Sequence, residues 1–137
     1  MSIQTGLIGE YITAAALVQL NCGVAMAQQE SIDLVAWFDS GDFMRVQVKS
    51  ARIYKQKEHS AGYQFQLCSG SKKKTRIDPN KVDVLACVAI DQRKVWFSAA
   101  CCVNQTTQRR SPAFFERPDI EADSWDKAVS IVMETRR

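Results

Sequence analysis

The first 44 residues contain no lysine and no arginine, although the chain of 137 residues carries 18 of these basic side chains. Long apolar runs are also missing, since none reaches the roughly 20 residues that a membrane-spanning helix needs. The segment from Met1 to Leu7 lacks the basic residue that precedes the apolar part of a secretory signal. We therefore expect a cytoplasmic protein without a membrane span.

The sequence has a single histidine and five cysteines, an odd number, with no pair in the C-x-x-C spacing. Neither a disulfide framework nor a zinc site is predicted from such a pattern, and reduced thiols are the simpler interpretation. Proline and glycine are few, at 3 and 6 residues, and the composition is 46% hydrophobic. The length and composition predict one compact domain over residues 1–137.

The charge that is present is unevenly distributed. Residues 1–44 carry five acids and no base, residues 45–76 carry nine bases and one acid, and residues 77–137 carry nine of each. A basic segment beside an acidic one indicates a polyanionic partner such as DNA, with the acids serving something local such as a metal. The alternative from charge alone is a basic loop that is simply solvated.

Hydrophobic periodicity predicts a helix over residues 3–20, with Ile3, Leu7, Ala14 and Val18 on its apolar stripe and Gly23 beyond its end. Small residues such as Gly6 and Gly9 would let this helix lie close to a sheet. A second helix is expected over residues 124–135 with Asp123 as its cap, after a mostly irregular stretch at 103–123. Strands are predicted at residues 24–27, 32–38, 43–49, 63–68, 82–90 and 95–99. The fold class predicted is α/β or α+β, with a central mixed sheet flanked by helices.

Two of these strands form a hairpin around residues 39–42. If the turn centres near Ser40–Gly41, paired residues sum to about 81, which sets Asp33 opposite Val48 and within a residue or two of Gln47 and Lys49. Gln47 and Lys49 alternate onto one face of their strand. Charges in apolar strands must be paired or bind an ion, so the alternatives are a metal site and a plain Asp33–Lys49 salt bridge.

The spacing of Asp33 and the triplet Gln47–Val48–Lys49 resembles the D-x(n)-(E/D/Q)-x-K core of PD-(D/E)XK nucleases. The helical Gly9–Glu10 pair and the later strand VDVLACVAID resemble the branch that holds intron-encoded homing endonucleases and Holliday-junction resolvases. The resemblance covers residues 5–100 and implies a restriction-endonuclease-like core with an αβββ-αβ order. Ile32 stands where proline is common, and Gln47 stands in place of the usual acid.

The resemblance implies a metal-dependent DNA endonuclease that hydrolyses phosphodiester bonds, with Glu10, Asp33, Gln47 and Lys49 as catalytic residues. The expected cofactor is Mg²⁺ or Mn²⁺, because hard cations prefer oxygen ligands. Its expected ligands are the Asp33 carboxylate, the Gln47 amide oxygen, the Val48 carbonyl and, through a water, Glu10. Lys49 would orient the attacking water or neutralise charge on the phosphate.

The expected DNA contacts come from the basic segment and its surroundings. The candidate DNA-binding residues are Arg45, Arg52, Lys55, Lys57, Lys72, Lys73, Lys74 and Arg76. Base recognition is assigned to the loops at 52–62 and 69–80 or to the stretch at 103–121.

Cutting two strands of duplex or branched DNA predicts a homodimer or homotetramer. Two other interpretations stay open at this point. One is a non-catalytic nucleic-acid-binding module that keeps the nuclease fold, and the other is an α+β protein with an internal Asp–Lys pair.

Overall fold

The computed structural model describes residues 3–27, 29–55, 57, 60–68 and 76–137. Its helices and strands, in chain order, are α1 (Ile3–Gln19), β1 (Gly23–Met26), β2 (Leu34–Trp37), β3 (Phe43–Ala51), β4 (Tyr63–Gln66), β5 (Val84–Ala89), β6 (Lys94–Ala99), β7 (Thr107–Arg110), α2 (Pro112–Phe115) and α3 (Ile120–Thr135). A short 3₁₀ turn, Ala100–Cys102, follows β6.

The central sheet has five strands in the order β1-β2-β3-β5-β6. The pair β3–β5 is parallel and the other neighbours are antiparallel, so the sheet is mixed, as the sequence predicted. A parallel pair needs a crossover connection, and here the described part of that crossover carries β4. Strand β4 pairs with β7 in a separate two-stranded antiparallel sheet, which we call the ribbon.

Both faces of the central sheet are covered. On one face, Leu17 of α1 and Trp125 of α3 pack with Val46 and Val84 of the sheet. On the other face, the buried ribbon residues Tyr63 and Phe65 join Phe115 of α2 and the sheet residues Leu85, Cys87 and Ala89. Gln47 and Lys49 belong to the ribbon face of β3, and Val46 and Val48 belong to the helix face.

Helix α1 lies where it was predicted, but its buried face is a different one. Ile3, Leu7 and Val18 are exposed, and the buried positions are instead Thr5, Gly9, Thr13, Ala16 and Leu17. The predicted stripe was wrong because the close approach to β3 selects small side chains. At Gly9, a Cβ atom would lie 1.7 Å from Ser50 Oγ and 3.5 Å from a methyl of Val48.

The ends of both long helices also differ from prediction. The left-handed residue after α1 is Asn21 (φ 66°) rather than Gly23, and the Cys22 N–H returns to the Leu17 carbonyl at 3.0 Å. Helix α3 begins at Ile120 rather than Ser124, and the residue before it is Asp119 (φ 61°) rather than the predicted cap Asp123. The stretch that we predicted as irregular contains β7 and α2, which pattern reading missed because each has only four residues.

Among the described residues, no helix combines the length and apolar character needed to cross a membrane. The cytoplasmic location stays a prediction.

Candidate active site

The register of the β2–β3 hairpin sets the geometry of the site. Leu34 pairs with Val46, so paired residues sum to 80 rather than 81, and the Asp33 N–H donates to the Val46 carbonyl at 2.9 Å. The predicted register was therefore one residue off. Asp33 itself precedes β2 and lies outside the paired register, but the charge of Lys49 acts on its carboxylate, so the two side chains lie near one another.

The Asp33 carboxylate is fixed to the backbone of the neighbouring strand. Its Oδ2 accepts the Val48 N–H at 2.7 Å. The pairing of β2 with β3 ends at Leu34 and Val46, so the carboxylate binds a backbone donor that lies beyond the paired part of the hairpin. Burial raises the pKa of Asp33 above its ordinary value of 3.8, although the bond from Val48 and the positive charge of Lys49 oppose the rise. Asp33 is therefore a partly buried acid whose neighbours do not supply enough positive charge to offset the effect of burial on its pKa.

Glu10 of helix α1 is affected by the charge of Asp33. Burial raises the pKa of its carboxyl group above 4.5, and the negative charge of Asp33 raises it further. The second effect requires the two carboxylates to lie near one another. Gly9 has no side chain, so helix α1 can lie close to β3 at this point. The next residue along the helix is Glu10. The negative charge of Asp33 acts on Glu10, and the shared catalytic role of the two carboxylates stays a prediction.

Gln47 provides a polar atom with no partner. The residue is 6% exposed, and its Oε1 is buried without a hydrogen bond among the described residues. An unsatisfied buried amide oxygen costs about 1–3 kcal/mol, so its retention calls for an explanation. A cation that takes this oxygen as a ligand would remove the cost.

Lys49 does not form the salt bridge that was one alternative interpretation. Its Nζ donates to the Cys68 carbonyl at 3.1 Å, and the ion pairs of the described residues do not include Asp33 with Lys49. An ammonium group has three donors, so this single bond fixes the side chain and leaves capacity for a further acceptor. The carbonyl of Cys68, which anchors Lys49, was not foreseen because nothing in a sequence marks a backbone acceptor.

A metal site here would draw on few acidic ligands. Among the residues that the structure describes, no group of three or more His, Cys, Asp or Glu side chains could hold a metal ion. The oxygen donors available are the two carboxylates with raised pKa, the orphaned Gln47 oxygen and backbone carbonyls. This donor set fits Mg²⁺, which takes oxygen ligands and keeps several waters. The ligand role assigned to the Val48 carbonyl stays a prediction.

The predicted DNA-binding residues fall into three groups. Arg52, Lys55, Lys57 and Arg76 are exposed, and Lys72, Lys73 and Lys74 lie outside the described residues. Arg45 lies on the face of Gln47, but its guanidinium is held by Asp83, with Nε and Nη2 at 3.0 Å from the two carboxylate oxygens. Its Nη1 also donates to the Asn80 carbonyl at 2.9 Å. Arg45 is thus engaged within the protein, so we do not assign it to a phosphate.

The fold is similar to that of a homing endonuclease. The solved structure of a bacterial homing endonuclease, I-Ssp6803I, aligns with a TM-score of 0.72 over 100% of this chain and 99% of that chain. The two sequences are 14% identical, so the likeness establishes the mixed α+β fold rather than the activity. No protein-family model and no curated protein matches the sequence.

Proposed function

We propose that the chain is a metal-dependent DNA endonuclease that hydrolyses phosphodiester bonds, of the homing-endonuclease or Holliday-junction-resolvase kind. The observation that carries the proposal is the buried Gln47 oxygen, which has no hydrogen-bond partner among the described residues and lies on the strand that carries Lys49, whose charge acts on Asp33. The likeness to a homing endonuclease fold supports it, as does the predicted PD-(D/E)XK spacing.

In this proposal, Asp33, Gln47 and the Val48 carbonyl hold Mg²⁺ or Mn²⁺, with Glu10 acting through a water. The ion, when bound, would supply positive charge at the scissile phosphate and lower the pKa of the attacking water. Asp33 is kept in place by its bond from Val48, and Lys49 by its bond to Cys68. The remaining donors of Lys49 Nζ are available to orient a water or to stabilise the negative charge that develops on the phosphate.

The test is cutting of supercoiled plasmid, linear duplex and four-way junction DNA with and without MgCl₂. We expect Asp33→Asn and Lys49→Ala each to lower the cutting rate by about 10²–10³ while leaving DNA binding in place. Lys127→Ala, which removes an exposed lysine from α3, is the matched control and should cut like the wild type. Equal cutting by Asp33→Asn and the wild type would reject the proposed site. Preference for the junction or for a linear site would separate the two kinds of enzyme.

Metal binding has a readout that does not depend on cutting. A ligand that binds only the folded state stabilises it by about 2.7 kcal/mol at one hundred times its Kd. We expect MgCl₂ to raise the melting temperature of the wild type and to have a much smaller effect on Asp33→Asn.

One observation favours a second candidate, a DNA-binding module that has lost catalysis. Gln47 is neutral where the nuclease pattern has an acid, and the described residues offer no cluster of three acidic or other metal-binding side chains. Such a module would bind DNA without metal-dependent cutting in any of the three substrates, and Lys49→Ala would then alter nothing but affinity.

A homodimer or homotetramer is part of the proposal, because two strands must be cut by chains with one site each. The exposed apolar side chains of α1 support it: Ile3 is 90% exposed, Tyr11 59% and Val18 58%. Large apolar side chains that stay exposed on one helix are compatible with an interaction surface. Sedimentation or light scattering would give the number of chains.

A further inference from the structure

The ribbon formed by β4 and β7 has two chemically distinct faces. Tyr63 and Phe65 point inward and are buried, so Gln64 and Gln66 point outward. The register pairs Gln64 with Arg109 and Gln66 with Thr107, and paired residues share a face. The outward face therefore carries two amides, one guanidinium and one hydroxyl, and each of these groups can donate a hydrogen bond.

Acidic side chains are absent from the sequence around this face. Neither residues 59–77 nor residues 92–115, the segments that contain the two strands, include Asp or Glu. The two segments themselves thus contribute no carboxylate that would repel a phosphate backbone, and the amides of Gln64 and Gln66 can bond to base edges.

Arg109 is held in position before any ligand arrives. Its guanidinium lies over the Tyr54 ring, 5.9 Å from the centroid, and one Nη donates to the Ser60 carbonyl. A Cβ atom at Gly62 would lie 3.1 Å from Arg109 Nη2, so the absence of a side chain there makes room for the guanidinium. Arg109 is a fixed positive charge at one end of the outward face.

The ribbon is connected to the candidate active site. Strand β4 leads directly to Cys68, whose carbonyl accepts the bond from Lys49. A groove of about 390 Å³ separates the outward glutamines from β3, and its lining includes Ser50, Arg52 and Tyr54. The ribbon and the site thus lie side by side, with Lys49 joined to both.

From this arrangement we infer that the outward face of the ribbon enters the DNA major groove and reads base edges with Gln64 and Gln66. The inference rests on the proposed function, because it names the surface by which that enzyme would choose its site. B-DNA's major groove is about 12 Å wide and admits a two-stranded ribbon, and a glutamine amide matches the N6 and N7 atoms of adenine. Residues two apart on a strand are about 6.6–6.8 Å apart, close to two base-pair steps of 3.4 Å. We therefore expect adenine preferences at two positions about two base pairs apart.

The test is selection of bound duplexes from a randomised pool in EDTA, so that recognition is measured without cutting. The wild type should enrich two adenines with that spacing. Gln64→Ala combined with Gln66→Ala should lose about tenfold in preference at each position. Gln66→Glu should move one preference toward cytosine, whose N4 amino group donates to a carboxylate. Gln19→Ala, which changes an exposed glutamine of α1, is the control and should select the same sequences as the wild type.

The inference is overturned if the double variant selects the same sequences as the wild type, or if the wild type selects none. Melting curves check that the variants fold. If the double variant melts at a lower temperature than the wild type, the shift of preference toward cytosine in Gln66→Glu tests the inference in its place. Plasmid nicking in MgCl₂ is measured on the same proteins. Loss of sequence choice with nicking retained supports the inference, whereas absence of nicking in the wild type rejects the proposed enzyme without affecting the selection result.

Discussion

Strand β3 carries two polar clusters with opposite electrostatic properties. Near its start, Asp83 accepts the Arg45 N–H at 2.7 Å and two bonds from the Arg45 guanidinium, and Arg136 lies 3.3 Å away. In its middle, the Gln47 oxygen has no hydrogen-bond partner among the residues that the structure describes. Although burial opposes it, the bonds from Arg45 lower the pKa of Asp83, whereas burial raises the pKa of Asp33. We infer that the first cluster stabilises the protein by itself, whereas the second is complete only with a ligand.

The largest difference in the free energy of unfolding is expected when the same substitution, Asp to Asn, is made in each cluster. Asp83→Asn removes a buried charge from between two guanidinium groups and should lower the free energy of unfolding by about 3 kcal/mol. Asp33→Asn removes a carboxylate that is poorly compensated, and its amide oxygen can still accept the Val48 N–H, so metal-free stability should fall by less than about 1 kcal/mol or rise. Urea denaturation without metal measures both. Equal losses would show that the two clusters play the same structural role.

A smaller effect is expected at the contact that brings Glu10 toward the site. Gly9→Ala would set a Cβ 1.7 Å from Ser50 Oγ, so α1 or Ser50 must shift, at a cost of about 1–3 kcal/mol. Ser50→Ala should be nearly neutral by itself, because its buried hydroxyl has no partner among the described residues. In the double variant, Ser50→Ala should recover part of the stability that Gly9→Ala removes. A double-mutant cycle in urea measures the coupling, and strict additivity would contradict the close contact.

The smallest effect is a pH dependence of opposite sign in the two clusters. Because the folded-state pKa of Asp33 is raised, stability falls as the pH rises from its ordinary value of 3.8 through the raised value. The folded-state pKa of Asp83 is lowered, so its contribution is present above 3.8 and is lost as the pH falls. As the pH rises from 3.8 through the raised pKa of Asp33, Asp33→Asn should gain stability relative to the wild type. As the pH rises toward 3.8 from below, Asp83→Asn should lose stability relative to the wild type. Metal-free melting curves at several pH values test both signs.

Strand β3 was predictable because its polar and apolar residues alternate, and β5 because it is a continuous apolar run. The position of Asp33 was predicted only approximately, because the turn centre in Asp39–Ser40–Gly41–Asp42 is ambiguous by one residue, and one residue changes the face. The pairing of Arg45 with Asp83 was not predictable, since it joins residues 38 apart in the sequence. The same holds for the ribbon, whose two strands are short and far apart along the chain.

The bond between Asp33 and the Val48 amide has a consequence for misfolded chains. The carboxylate completes the hairpin ladder and is also the first predicted metal ligand, so one group serves both assembly and chemistry. A hairpin that closed with the strands shifted by one residue would separate this carboxylate from the Val48 amide. Under the proposed function, such a molecule would lack a metal ligand and would be inactive.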